Sequence, residues 1–446
     1  MPIPPSLSDR FAYHFTLIDN LESIIDSGIL CTNLKNKLGV SHINVAAESI
    51  QSRRSTMLVP CSSGKFVHDY VPFYFSKKTS MQLGVINKKN IDQPLLIYFA
   101  IPIDTICSVA GAVFSDASAN TELPPNFYNS SRVDMLGTLN WEAIDSKKWG
   151  CPSDEFRHQK MAELLIPDRV GIEQVSHIIV WNSWIKEEVE KIFINKGVVA
   201  PTIKFDDAHY YVNFYDGGSQ SIVTGPKLLK HFFEEAVKYI ESNQKTLTTY
   251  SGLTQALSAI ASNFCVIKEL ADIEGLKANY PPHTDEVGVH SRKVASVLTS
   301  FQEYNDLSQH DKDIVRLAAY MHDIGKGPKT RWGCCEMNRA DNDHAVKSLP
   351  MLKRILTEEI GNLSPEDIRK IVMLVTYDDL VGDIVAKGRD ESQLNEVVTC
   401  ENDINMLVAL GKADMQSINT FWPTNHAYNI NLLKSRAIAS LAEPVR

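Results

Sequence analysis

The chain changes its periodicity near residue 220, and this change limits the possible folds more than any other feature. Up to about Phe214 the apolar residues come in short runs, over 95–101, 162–166 and 177–181. These have the length of buried strands and are separated by loops and a few helices. Beyond that point they recur at helical spacing almost to the end. Between the two textures lie Y-D-G-G-S-Q-S and T-G-P, whose glycines and proline suit neither pattern. A chain of 446 residues can support two or three cores. The reading is therefore a mixed α and β domain over 1–215, a linker over 216–226 and an all-helical domain over 227–446.

Local signals refine the first domain. Asn20 reads as an N-cap and Gly28 as a C-terminal stop, which predicts a short helix between them after an extended segment containing His14. A second helix is expected over 184–195, ending at Gly197. Residues 95–114 are apolar enough to resemble a membrane span, but Pro102 and Asp104 in the middle favour a buried strand followed by a turn. The eight cysteines are scattered without a C-x-x-C pair, and the opening M-P-I-P-P-S-L-S-D-R lacks an apolar signal core. Both point to a cytoplasmic protein with no membrane association. The net charge of -9 gives no general attraction to nucleic acid, so any such contact needs a local patch.

Three features of the first domain suggest chemistry. In F-A-Y-H-F-T, strand alternation puts His14 and Thr16 on one side, either facing a ligand or packed at a strand end. Residues 53–89 carry seven Lys or Arg and a single acid, Asp69, interleaved with Phe66, Tyr70, Phe73, Tyr74 and Phe75. That composition suits either a surface for single strands and dinucleotides or a solvated basic face over core aromatics. Glu163, in K-M-A-E-L-L-I, sits among residues that demand burial, so its carboxylate is either paired or kept for function, unless it faces water at a strand edge.

These pieces resemble the DarT DNA ADP-ribosyltransferases over most of residues 10–215. The matching segments are H-F-T-L-I-D-N-L-E-S-I, I-Q-S-R-R, H-D-Y-V-P-F-Y-F-S, F-S-D, N-W-E-A-I and K-M-A-E-L-L-I, in order. The resemblance implies an ADP-ribosyltransferase fold that splits NAD and transfers ADP-ribose to a base, thymidine in the best-known members, of single-stranded DNA. It implies Glu163 as the catalytic glutamate and Arg54 as the essential arginine. His14, Phe15 and Thr16 would contact the nicotinamide side of NAD, with Ser23 and Cys31 further along the pocket. Residues 116–163 would form the substrate-recognition loop. It also implies a toxin or phage-defence role and a partner, an antitoxin or ADP-ribosyl hydrolase, that reverses the modification. An arginine is almost always protonated, so Arg54 is better suited to stabilising a deprotonated base or gripping a phosphate than to acting as a base.

The second domain carries A-A-Y-M-H-D-I-G-K-G, with His322 next to Asp323. Val287, His290, Val294 and Val297 form one helical stripe, and Ile404, Leu407, Gly411 and Asp414 another, so polar groups point inward from several helices. A divalent metal would satisfy them together. The pattern resembles the HD-domain phosphohydrolases, for which His290, His322, Asp323 and Asp414 match the metal set. Lys326 could hold a substrate phosphate, and His344 and Asp378 could be further ligands. Many two-metal members have a histidine pair where this chain has Tyr377 and Asp378, which counts against a second metal. The metal expected is Mg, Mn or a transition metal. The fold class expected is thus an α+β ADP-ribosyltransferase fold followed by an all-α HD domain, in which the HD domain regulates the transferase or processes nucleotides. The alternatives are a metal-dependent phosphohydrolase or phosphodiesterase to which the first half lends specificity, and a pair in which one domain is a binding module controlling the other.

Overall fold

The computed structural model describes residues 3–45, 48–120, 124–148, 150–216, 219–221 and 223–442. The chain forms two compact units. One comprises Met1–Asn87 and Ile91–Asn213, the other Lys88–Asn90 and Phe214–Arg446.

The first unit is built on an eight-stranded sheet. In chain order its strands are β1 (Phe11–Leu17), β2 (Tyr70–Tyr74), β3 (Leu96–Pro102), β4 (Val113–Ser115), β5 (Phe127–Asn129), β6 (Glu163–Pro167), β7 (His177–Val180) and β8 (Thr202–Phe205). They lie in the order β8-β7-β3-β1-β2-β6-β4-β5. Every neighbouring pair is antiparallel except β7 and β8. That parallel pair needs a crossover, which the helix α3 (Ser183–Lys196) supplies before ending at Gly197 in the left-handed conformation. Six of the seven residues of β3 are buried, as a central strand covered on both faces requires.

Residues 95–114 resolve into β3, a short helix over Thr105–Ser108 and β4. Among the described residues no helix is long and apolar enough to cross a membrane. The helix α1 (Leu21–Ser27) forms and stops at Gly28, φ 78°. Asn20, however, makes no side-chain cap. Its amide instead donates to Thr16 Oγ1 (2.9 Å) and to the carbonyl of Ile43 (3.0 Å), and its oxygen accepts from the Ile43 N–H (2.8 Å). A long-range tie that fixes the loop at Ile43 has displaced the local cap. The aromatic residues of 53–89 also depart from a stacking surface. Tyr70, Phe73, Tyr74 and Phe75 are buried and only Phe66 is exposed, because the sheet core recruits them.

Within the segment read as a linker, strands Asn213–Asp216 and Ser219–Ser221 pair with each other; residues 217, 218 and 222 lie outside the described set. Beyond that pair, the described residues of the second unit are helical apart from two-residue strands at Lys277–Ala278 and Glu336–Met337. Its main helices are α4 (Pro226–Asn243), α5 (Val287–Val297), α6 (Gln309–Met321), α7 (His344–Arg354), α8 (Pro365–Thr376) and α9 (Glu401–Ile418). Proline at the first position of α8, after a Ser364 cap completed by Asp367, starts that helix cleanly. Leu317, Val372, Met373 and Leu407 are fully buried in one core.

The stop at Gly28 is sterically demanding. A Cβ there would lie 2.6 Å from Arg169 Nε and 2.8 Å from the Val170 carbonyl oxygen, on a backbone with positive φ. Gly28→Ala is expected to destabilise the first unit by about 2 kcal/mol, read as a lower urea midpoint of its unfolding transition; an unchanged midpoint would contradict this.

Candidate active site and metal centre

The first site is organised by one buried ion pair. Arg54 comes from helix α2 (Glu48–Thr56) and Glu163 opens strand β6, where it stands opposite Tyr74 of β2. The guanidinium donates to both carboxylate oxygens, at 2.8 and 2.9 Å. Glu163 is 0% exposed and Arg54 7%. The Ala119 N–H also donates to Glu163 Oε1 (3.3 Å), and the Glu163 N–H to Ser115 Oγ (3.2 Å). Burial alone would lower the arginine pKa, but the adjacent carboxylate overrides it and holds the guanidinium above its ordinary value. Burial also pushes the Tyr74 hydroxyl up, with the Glu163 charge adding to it.

His14, Phe15, Thr16, Ser23 and Arg54 line a single cleft, together with Asn20 and Tyr74. His14 Nδ1 lies 2.9 Å from the Pro72 carbonyl, so Nδ1 carries the proton and Nε2 is left as an acceptor. Burial lowers the His14 pKa, which keeps the ring neutral near pH 7. Cys31 is not brought to this cleft. It is buried, and its Sγ accepts the Leu34 N–H (3.3 Å) at the start of the next helix. Asn20 escaped the sequence reading because it was taken as a cap, and Tyr74 because it was counted with the stacking aromatics.

A second cleft shares Ile50 and Met81 with the first and is lined by Arg53, Asn120, Asn140, Arg157 and His158. Much of it comes from residues 116–163, of which 121–123 and 149 lie outside the described set. This segment is ordered by helices rather than extended as a loop, with Trp141–Asp145 and Asp154–Lys160 capped by Asn140 and Ser153.

In the second unit α5, the end of α6, α7 and α9 bring His290, His322, Asp323, His344 and Asp414 together with Asp378. His290 Nε2 lies 2.9 Å from Asp414 Oδ1 and 3.3 Å from His322 Nε2. The outer nitrogens settle the tautomers. His322 Nδ1 faces the Ala319 carbonyl (2.8 Å) and His344 Nδ1 the Asp341 carbonyl (2.9 Å), so both must donate. His290 Nδ1 faces Ser417 Oγ (3.0 Å), whose own proton goes to the Asp414 carbonyl (2.7 Å). In the neutral rings, therefore, the Nε2 lone pairs converge on carboxylates with no proton between them. A cation suits such a donor set, and fixing each imidazole through its other nitrogen is what metal sites require.

Lys326 is buried with Nζ 2.7 Å from Asp323 Oδ2, and burial is outweighed by that carboxylate, which raises the ammonium pKa. The surrounding carboxylates likewise outweigh burial at His344 and raise its pKa to about 10. Tyr377 is packed in the core against Phe233 and takes no part. Asp379, which the sequence reading passed over, groups with His344 and Asp378; its adjacency to Asp378 was the available signal.

Comparison with known proteins agrees with this division. The family model described as ssDNA thymidine ADP-ribosyltransferase, DarT, matches residues 13–212, and the HD domain model matches 287–399. A DNA ADP-ribosyl transferase of Thermus sp. (strain 2.9) is 30% identical over 184 residues, which is 40% of this chain and 85% of the relative. One from Escherichia coli O127:H6 is 24% identical over 180 residues, 39% of this chain and 81% of the relative. The solved structure of Thermus sp. 2.9 DarT in complex with ADP-ribosylated ssDNA covers 47% of this chain and 99% of that one, at 27% identity and a TM-score of 0.42. The chain belongs to the DarT family of DNA ADP-ribosyltransferases, and its helical unit carries an HD domain. Asp414 lies beyond the HD match, and only the fold of α9 returns it to His290.

Removing one partner of the Arg54–Glu163 pair strands a buried charge. Glu163→Ala is expected to cost about 3–5 kcal/mol of stability, and Arg54→Met/Glu163→Leu much less. Urea unfolding of the two variants checks this; equal losses in both would show that the pair is not electrostatically coupled.

Proposed function

We propose that the first unit transfers ADP-ribose from NAD to a thymidine base of single-stranded DNA. The observation that carries this is the convergence of His14, Thr16 and Arg54 on one cleft, with the buried Glu163 bound to Arg54 at 2.8 Å. NAD occupies that cleft, and the DNA strand runs along the second one, past Arg53 and Arg157. The reaction breaks the bond from ribose C1′ to the nicotinamide nitrogen and forms one from C1′ to the base.

Glu163, oriented by Arg54, accepts from a ribose hydroxyl and stabilises the positive charge that develops as nicotinamide leaves. Arg54 remains protonated throughout. It orients the carboxylate and stabilises the target base as that base gives up its proton to solvent water. Neutral His14 offers Nε2 as an acceptor on the nicotinamide side. Such a modification blocks copying of the strand, which fits a toxin or phage-defence enzyme held in check by a partner that removes it.

The test is mass spectrometry of a thymidine-containing single-stranded oligonucleotide after incubation with NAD. An ADP-ribose increment is expected with the wild type, and Glu163→Gln should slow it by roughly 10²–10³-fold, as for loss of a group that stabilises transition-state charge. Transfer at the wild-type rate by Glu163→Gln would refute the role of Glu163.

A second activity is favoured by the convergence of three imidazole Nε2 atoms with carboxylates in the helical unit. We propose that this unit is a metal-dependent phosphohydrolase acting on nucleotides or nucleic acid, with His290, His322, Asp323 and Asp414 holding the cation. Two imidazoles and two carboxylates suit a transition metal or Mn. When bound, the metal polarises a phosphoryl oxygen. Lys326 would release Asp323 and meet a substrate phosphate. Hydrolysis of a nucleotide and phosphodiester panel is expected to stop with chelator, to return with Mn, and to be lost in His322→Ala. Hydrolysis that persists in chelator would overturn this reading.

A further inference from the structure

We propose that Lys35 and His42 form a clamp for a phosphate of the dinucleotide in the first cleft, an inference that rests on the NAD reading above. Both residues line that cleft, beside His14 and Arg54.

A nicotinamide dinucleotide brings charged phosphates, and a cleft that takes it has to answer them with cations and donors. The described lining residues include no aspartate or glutamate, and Arg54 and Lys35 are the formal cations among them. Arg54 is already committed, since it donates to both oxygens of Glu163. Lys35 instead meets an imidazole, its Nζ lying 3.0 Å from His42 Nδ1 and 2.9 Å from His42 Nε2. Among the described lining residues, Lys35 is therefore the cation left without an acid partner.

A neutral imidazole has one acceptor and one N–H, so the ammonium faces a donor as well as an acceptor. A phosphate accepts from both side chains and replaces that poor contact with charge-assisted hydrogen bonds. Lys35 is half-buried and His42 exposed, so a ligand reaches both. Burial lowers the pKa of each group, and the Lys35 charge lowers that of His42 further. A bound anion offsets both effects.

Two contacts that look purely structural hold these side chains together. Cys31 caps the helix Thr32–Leu38, and the Lys35 N–H donates to the Cys31 carbonyl (2.9 Å) in its first turn. At Gly39 the chain turns back, with the Val40 N–H donating to the Lys35 carbonyl (3.2 Å). Asn20 then grips the backbone of Ile43 through its amide and its oxygen, at 3.0 and 2.8 Å, and so sets His42 beside Lys35. The cap by Cys31 and the long-range tie of Asn20 thus act on one point of the cleft. The clamp suits a phosphate of the diphosphate bridge or a 2′-phosphate on the adenosine ribose, as in NADP, and the choice of titrant separates them.

The test is calorimetric titration of the full-length protein with NAD, ADP-ribose and NADP. The wild type is compared with Lys35→Met, His42→Gln, Lys35→Arg and the control Lys37→Met, which removes an exposed lysine of the same helix. Lys35→Met is expected to weaken binding by roughly 10–100-fold and His42→Gln by roughly 3–10-fold, as for loss of a charged and of a neutral hydrogen bond. Lys35→Arg should recover most of the affinity, Lys37→Met should keep all of it, and circular dichroism should stay unchanged. Equal losses for all three ligands assign the clamp to the diphosphate; a loss for NADP alone assigns it to the 2′-phosphate.

Unchanged affinity for all three ligands in both Lys35→Met and His42→Gln would overturn the clamp. An equal loss in Lys37→Met would do the same, by showing a general effect of charge. A loss in Lys35→Met alone would overturn the part given to His42. If the wild type modifies the oligonucleotide while these variants bind normally, the clamp falls and the transfer reading stands. If binding responds as expected but no transfer occurs, the clamp stands and the transfer reading falls. A wild type that binds none of the three ligands removes both. If Lys35→Met fails to fold, His42→Gln decides.

Discussion

The bidentate contact between Arg54 and Glu163 joins residues 109 positions apart and fixes how the first unit must be assembled. Neither charge tolerates burial alone, so the helix carrying Arg54 has to lie against the strand edge where Glu163 begins β6. The same helix serves both clefts, with Arg54 lining the one that holds His14 and Thr16 and Arg53 the one that holds Arg157. The sheet supplies the rigidity: Tyr74 stands opposite Glu163 across β2 and β6 and opposite Tyr13 across β1 and β2. The pair therefore organises this part of the unit.

The helical unit solves a similar problem differently. Here several buried carboxylates and imidazoles are gathered in one cluster, and each imidazole is fixed by a hydrogen bond on the side away from the centre. His290, His322 and His344 all use Nδ1 in this way, so each turns Nε2 toward the centre. Such an arrangement, with each ring fixed on its outer side, also suits a cation. The two units thus both rest on buried charge, in one a single bidentate pair and in the other a cluster of imidazoles and carboxylates.

Much of this was legible in the chain. The run of apolar residues around Pro102 and Asp104 reads correctly as strand and turn, because proline and aspartate cannot continue a span. Gly28 and Gly197 end their helices as glycines in left-handed backbone do. Asn20 was misread because a cap is a local signal, whereas its actual partners, Thr16 and Ile43, are brought near by folding. The aromatics beside the basic residues were ambiguous for a related reason, since composition does not reveal which side of a sheet a ring faces.

The sequence by itself determined the two textures, the helix and strand periods, and the chemical types present at the sites. These depend on neighbours a few residues apart, and local geometry translates them directly into structure. Tertiary structure alone decided that Glu163 is paired with Arg54, that Cys31 is turned to cap a helix, and that Asp414 closes on His290. Each of these depends on the distance and direction between side chains from separate elements, and spacing along a chain carries no information about either.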